Sequence, residues 1–205
     1  MGEIRSNRSS KNCVWIVIGI VLSALIIDQT LKLYVATHFA LGESKEITSW
    51  FWFCYVENNG MAFGMEWWSK LALTLFRIVA VGLLGWYTHL LIHKHHARKG
   101  YIATIALIIA GALGNIIDCV FYGKLFGYAN WMYGRVVDMF YFPLFTWPEW
   151  MPLVGGEVFF GAVFNFADAA ISCGAVAILI FYNKYIIDKK EDTPNTPTSE
   201  SNTTE

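Results

Sequence analysis

Asp28, Asp118 and Asp168 interrupt long apolar runs, and of the sixteen acidic residues in the chain they alone do so. A carboxylate held in hydrocarbon costs at least about 2.5 to 3.5 kcal/mol on insertion scales, so each needs a partner or a task. Residues three or four apart share a helix face, which joins Asp28 with Lys32, Asn115 with Asp118, and Asn165 with Asp168. A fourth acid, Asp138, lies in the apolar run Arg135-Val136-Val137-Asp138-Met139-Phe140. Two carboxylates sharing one proton can divide the work of peptide hydrolysis. One acts as base toward a water, the other as acid toward the scissile carbonyl.

Other chemistries find less support in the chain. No Gly-x-Ser-x-Gly elbow occurs and no serine stands beside an intramembrane histidine, which speaks against a serine hydrolase. His93, His95 and His96 cluster in a basic turn away from the acids, and Cys13, Cys54, Cys119 and Cys173 are scattered singly. No metal and no cofactor are expected. A net charge of −1 gives no footing for a nucleic-acid partner. The acids also admit plainer roles: Asp28 as a salt-bridge partner of Lys32, Asp118 as a tie at a helix end. A proton- or ion-coupled transporter is the alternative function, with Asp28, Asp118 and Asp168 as a relay. It would need acids at several depths. A non-enzymatic scaffold is a third reading, resting on aromatic outer loops alone.

The elements that must position these groups follow from hydropathy. With 56% hydrophobic and 15% charged residues, the 205-residue chain departs from soluble domains, in which about a quarter of residues are charged. A helix needs about 20 apolar residues to cross the hydrocarbon layer, and four stretches qualify: 14–35, 71–92, 101–122 and 164–187. Lys and Arg concentrate in residues 1–13, in the turn 93–100 and after Lys184, which predicts both termini in the cytoplasm. On that orientation Asp28 lies roughly 21 Å from the cytoplasmic end of its span, and Asp118 and Asp168 roughly 26 Å from theirs. All three converge on the outer third of the bilayer. Depth favours Asp118 as the partner of Asp168, while Asp138 could dip to the same level, so the pairing stays open. Both outer loops are rich in Trp, Tyr and Phe and are expected to lie along the membrane. Lys45 to Tyr55 has the β-branched and aromatic content of short strands. The fold expected is an all-α membrane protein of four transmembrane helices with a small β-containing periplasmic loop region. Residues 1–13 form a cytoplasmic segment, 14–187 the membrane domain and 188–205 a polar tail expected to be disordered.

Five segments, taken together and in order, resemble those of lipoprotein signal peptidase, the bacterial type II signal peptidase. They are Asp28-Gln29-Thr30-Leu31-Lys32, Asn58-Asn59-Gly60-Met61-Ala62-Phe63-Gly64, Gly111 to Asp118, Val136-Val137-Asp138 and Phe164-Asn165-Phe166-Ala167-Asp168. The resemblance implies an intramembrane aspartic endopeptidase in the bacterial inner membrane, its site facing the periplasm. It would cleave prolipoproteins just before a cysteine modified with diacylglycerol. It further implies Asp138 and Asp168 as the catalytic residues. Asn58, Gly60, Asn115 and Asn165 would stand near the substrate, with Asp28, Lys32 and Asp118 supporting the site. Diacylglyceryl-modified prolipoproteins, membrane lipid and globomycin-like inhibitors are the implied partners. One departure stands out: Cys119 occupies the place where the family usually carries Arg, and Arg135 or Arg77 are the candidates to supply that guanidinium. The segments 123–134 and 143–156 lengthen the second outer loop, as a lid or as a platform on the membrane.

Overall fold

The computed structural model describes residues 2–60, 67–94 and 97–186. Met61 to Gly64 of the second motif, His95, His96 and the tail 188–205 lie outside the described residues. Helix α1 spans Gly2–His38, and its apolar stretch Ser10–His38 exceeds the expected span at both ends. Helix α2 spans Trp67–His93, and α3 spans Lys99–Ile117. Beyond Ile117 the chain continues through a π-helical turn, Asp118–Tyr122, and a last helical turn α4, Gly123–Leu125. The final helix, α5, runs Phe166–Ile186. Among the described residues three helices are long and apolar enough to cross a membrane: Ser10–His38, Lys70–His93 and Lys99–Leu125. The apolar stretch Phe166–Phe181 of α5 is shorter. Outward faces carry exposed Trp15, Phe76, Trp86 and Leu179, the reverse of a water-soluble helix surface.

Helix α3 is the centre of the bundle, packed against α1, α2 and α5. Small residues let it do so. A Cβ on Gly111 would collide with the Ala167 carbonyl oxygen of α5, and one on Gly114 with the Asp28 carboxylate of α1. Close approach of backbones at such positions is how helices pack where lipid offers no hydrophobic drive.

The outer region is a three-stranded antiparallel sheet in the order β1-β2-β3, built from Ser44–Thr48, Phe51–Asn58 and Val136–Tyr141. The short strands expected in Lys45–Tyr55 are present. The run around Asp138, expected only as an apolar stretch near the membrane, is itself a strand, with Asp138 opposite Val56 and Val136 opposite Asn58. One face of the sheet gathers the loop aromatics into a packed wall: Phe51 to Phe142 at 5.0 Å, Phe53 to Phe140 at 5.8 Å and Phe142 to Phe164 at 5.7 Å between ring centroids. Such ring pairs add roughly 0.5 to 1.5 kcal/mol beyond burial. The segment 143–156 leads into a small ribbon in which β4 (Phe145–Thr146) pairs with β5 (Val158–Phe159), and Trp150 and Leu153 stand exposed at its tip.

Helix α5 begins where its sequence says it should. Asn165 Oδ1 accepts from the Asp168 backbone N–H at 2.9 Å, and the Asp168 carboxylate reaches back toward Asn165 N at 3.4 Å. This reciprocal arrangement is a capping box with Asn and Asp in the two roles. A third N-terminal donor, Ala167 N, gives its hydrogen bond to Asp28 Oδ1 of α1 at 3.0 Å.

Candidate active site

Lys32 is fully buried, and its ammonium meets three oxygens: Asp28 Oδ2 at 3.0 Å, Asp118 Oδ2 at 2.7 Å and Asn115 Oδ1 at 2.9 Å. All three of its N–H donors are thereby used. Gln29 Nε2 lies within 3.0 Å of Asp28 Oδ2, 3.2 Å of Gly114 O and 3.0 Å of Asp118 Oδ1, and Tyr122 Oη donates to Gln29 Oε1 at 3.1 Å. Asp118 also accepts from Val137 N at 3.3 Å, which ties strand β3 to the end of α3. The plain readings of Asp28 and Asp118 are therefore present in the geometry: a salt bridge on α1, and a tie at a helix end. Losing one partner of so buried a cluster typically costs about 3 to 5 kcal/mol, because it strands the other charge.

A second cluster stands beside the first and is joined to it through Asn115. Asn115 Nδ2 donates to Asp168 Oδ1 at 2.8 Å, while its Oδ1 faces Lys32 and accepts from Asn165 Nδ2 at 3.2 Å. Asn165 Nδ2 also donates to Asp138 Oδ1 at 2.6 Å. One asparagine thus holds both Asp138 and Asp168. Asn58 Nδ2 donates to Asp138 Oδ2 at 3.1 Å from the end of β2. The orientation of that amide is fixed by its other end, since Asn58 Oδ1 accepts from Gly60 N at 2.7 Å. Gly60 has φ of +67°, a conformation that glycine adopts without strain.

Asp118 and Asp138 differ in their surroundings. Asp118 is drawn into the Lys32 cluster, and the neighbour that Asp168 acts on electrostatically is Asp138. Burial, and then the charge of Asp168, push the Asp138 carboxyl up to about 6; the Asn58 and Asn165 amides and the Lys32 ammonium oppose the rise. A carboxyl raised in this way beside a second carboxylate has the electrostatics of an acid and base pair. Asp138 is buried, Asp168 half-buried and Asn58 exposed, so the pair opens toward the outer loops.

All nine sequence-predicted site residues, Asp28, Lys32, Asn58, Gly60, Asn115, Asp118, Asp138, Asn165 and Asp168, fall within these two linked clusters or in the turn beside them. The two candidate guanidiniums do not reach the carboxylates of the pair. Arg77 donates from α2 to Cys119 Sγ at 3.1 Å, and Arg135 pairs with Glu57 Oε2 at 2.7 Å. Sequence reasoning missed Gln29 as a member of the buried network, although it stands inside the first motif. It also missed Tyr122, because a tyrosine near a span end reads as an interfacial ring. Gly134 was missed as well: a Cβ there would strike the Asp118 carbonyl oxygen, so only glycine lets the chain turn past α3 into β3.

Residues 20–184 match the family model described as Signal peptidase (SPase) II. A protein named lipoprotein signal peptidase from Porphyromonas gingivalis (strain ATCC 33277) is 42% identical over 92% of this chain and 93% of its own length. Its namesake from Amoebophilus asiaticus is 38% identical over 82% of this chain and 77% of its own length. A solved structure described as a bacterial membrane enzyme superposes with a TM-score of 0.62 at 26% identity, covering 82% of this chain and 92% of the other.

Proposed function

This chain belongs to the signal peptidase II family, and from that premise we propose that it is an aspartic endopeptidase of the bacterial inner membrane. It removes the signal peptide from diacylglyceryl-modified prolipoproteins by cutting before the lipidated cysteine. Asp138 and Asp168 are its catalytic pair. The observation that carries this reading is Asn165, which holds Asp138 through its side chain and Asp168 through its cap.

Asp138, its carboxyl pushed up to about 6, holds the shared proton. Asp168 sits at the partly positive N-terminus of α5 and takes the part of the base. Asp168 removes a proton from a water as its oxygen attacks the scissile carbonyl carbon, and Asp138 protonates the carbonyl oxygen. Collapse of the tetrahedral diol breaks the C–N bond, with a proton passing to the departing cysteine amine. Asn58 and Asn115 hold the two carboxylates in place. The aromatic wall of Phe140, on the same strand as Asp138, and Phe142, just past its end, offers an apolar surface for acyl chains entering sideways from the membrane. Four helices cross the membrane, α5 included, with both termini in the cytoplasm and the pair toward the periplasm. Globomycin-like peptides compete for the same site.

The transporter alternative is disfavoured. Asp28 and Asp118 are spent on Lys32 in one cluster, and no file of acids at successive depths remains for a relay.

The test is cleavage of a diacylglyceryl-modified prolipoprotein by purified protein in detergent. Asp138→Asn and Asp168→Asn are each expected to lose at least about a hundredfold in kcat while remaining folded. An unmodified precursor should be a poor substrate, and globomycin should inhibit. Retained cleavage by either Asn variant sinks the catalytic pair. Equal cleavage of lipidated and unlipidated precursors sinks the substrate assignment.

A further inference from the structure

Strand β3 has chemically opposite surroundings at its two ends. Past Asp138 it runs into the aromatic wall at Phe140 and Phe142. Before Asp138 it starts beside a cavity of about 640 Å³ lined by Lys70, Lys124 and Arg135, with Asn59, Asn130 and Tyr128. The cavity is a built feature rather than a gap between loops. Its outer wall is the segment 123–134, pinned by Tyr128 N and Ala129 N to Gly123 O at 3.0 Å, by Met132 N to Val120 O at 3.1 Å and by Gly134 N to Cys119 O at 2.8 Å. Thr74 Oγ1 on α2 donates to Met132 O at 3.3 Å, closing the wall against the bundle. The cations are held in place too. Lys70 is buried and donates to Asn59 Oδ1 at 3.2 Å. Arg135 lies over the Tyr128 ring at 5.1 Å while pairing with Glu57. Lys124 is exposed at the rim.

We infer that this cavity reads acidic side chains of the substrate on the mature side of the scissile bond, roughly two to four residues past the lipidated cysteine. The inference rests on the peptidase reading above. Both hydrophobic parts of the substrate, the signal helix and the acyl chains, belong with the apolar surfaces, and only the mature chain leaves toward water. The cavity lies at the Arg135 end of β3, away from the aromatic wall, and on this inference the mature chain leaves over it. Three residue steps lead from Arg135 to Asp138, a reach of at most about 11 Å. Three or four residues of an extended substrate span the same distance. Among the described residues, three cations against the Glu57 carboxylate leave a surplus of positive charge for an acidic peptide to meet. A phospholipid headgroup is the lesser candidate, because its acyl chains would have to leave the aromatic end of the strand.

Three diacylglyceryl-modified substrates, identical but for Asp-Asp, Asn-Asn or Lys-Lys at the second and third positions after the cysteine, test this. At low salt the Asp-Asp substrate should show about tenfold higher kcat/KM than Asn-Asn, carried by KM with kcat unchanged, and Lys-Lys should be worst. The preference should shrink as salt rises. Lys124→Glu, at an exposed position, should lose or reverse the preference. Equal kcat/KM for all three substrates overturns the inference and leaves the peptidase reading standing. Failure to cleave any of them overturns that reading instead. A preference untouched by Lys124→Glu, or a rate that follows the anionic lipid content of vesicles rather than substrate sequence, removes the cavity from substrate recognition.

Discussion

The Asp138 carboxyl sits on a balance that single side chains can tip. Burial and the Asp168 charge raise its carboxyl, and the amides of Asn58 and Asn165 hold it down by donating to the ionised form. Asn58 is the more accessible lever, since it is exposed and reaches Asp138 from outside the bundle. In Asn58→Ala one donor to the carboxylate is gone, so the protonated form persists to higher pH. If Asp138 is the acid of the proposed mechanism, kcat/KM is expected to fall as it ionises, its carboxyl being pushed up to about 6, and that alkaline limb should move upward by roughly half to one pH unit in the variant. A pH titration of cleavage in detergent reads this directly, and a limb that stays put or moves down would show that Asp138 is not the acid. At this scale the sequence was highly legible. The acids announce themselves by their cost in an apolar run, and Asp28 meets Lys32 and Asp168 meets Asn165 as the spacing suggests, whereas the Asn115 side chain turns to Asp168 and Lys32 instead of Asp118. What the residue pattern does not carry is partner choice across elements. Asp118 and Asp138 both fit a pair with Asp168, and what favours Asp138 in the proposed reading is the position of Lys32 between Asp28 and Asp118.

The elements place these groups through a few close approaches, and α3 against α5 is the tightest. Gly111 has the Ala167 carbonyl oxygen and Ile171 Cγ1 where a Cβ would go, and the first of these is backbone that cannot swing aside. Gly111→Ala therefore has to push α5 outward at its first turn, where Asp168 sits. We expect a loss of about 1 to 3 kcal/mol, read as a lower midpoint of thermal unfolding in detergent, together with reduced kcat. Gly82→Ala in α2 is the control, because nothing lies within 4 Å of its added methyl. It should be neutral or slightly stabilising. If the two variants behave alike, the α3 and α5 contact does not govern the site. The helices were legible because each carries its own hydropathy signal. Strand β3 was not, because its evidence is its partner: the Asn58 to Asp138 bond joins residues 80 apart in sequence. The π-helical turn at Asp118–Tyr122 was equally hidden, since nothing in that sequence separates it from a continuing α-helix.

Taken whole, the molecule divides into a lipid-facing bundle and an aromatic outer region, and its charge is arranged to match. Lys94, Arg98 and Lys99 lie together between α2 and α3, at the opposite end of α3 from Asp118 and the strands. On the proposed orientation, the excess of Lys and Arg on cytoplasmic loops would have the α2 to α3 connection inside and the site outside. The exposed Trp150 and Leu153 at the tip of the 143–156 segment fit a ribbon lying at the headgroup layer, which favours the platform reading of that insertion over a lid. Sidedness can be measured without touching the site. Glu149→Cys, exposed beside that tip, should react with a membrane-impermeant maleimide on cells whose periplasm alone is accessible. Lys94→Cys should react only after the inner membrane is opened. Cys13, Cys54 and Cys119 are buried, so the background to correct for among the described cysteines is Cys173, read from the parent protein. The reverse labelling pattern would put the pair of aspartates on the cytoplasmic side, where a translocated prolipoprotein does not present its cleavage site. The peptidase reading would then fail on topology alone, whatever the geometry of Asp138 and Asp168.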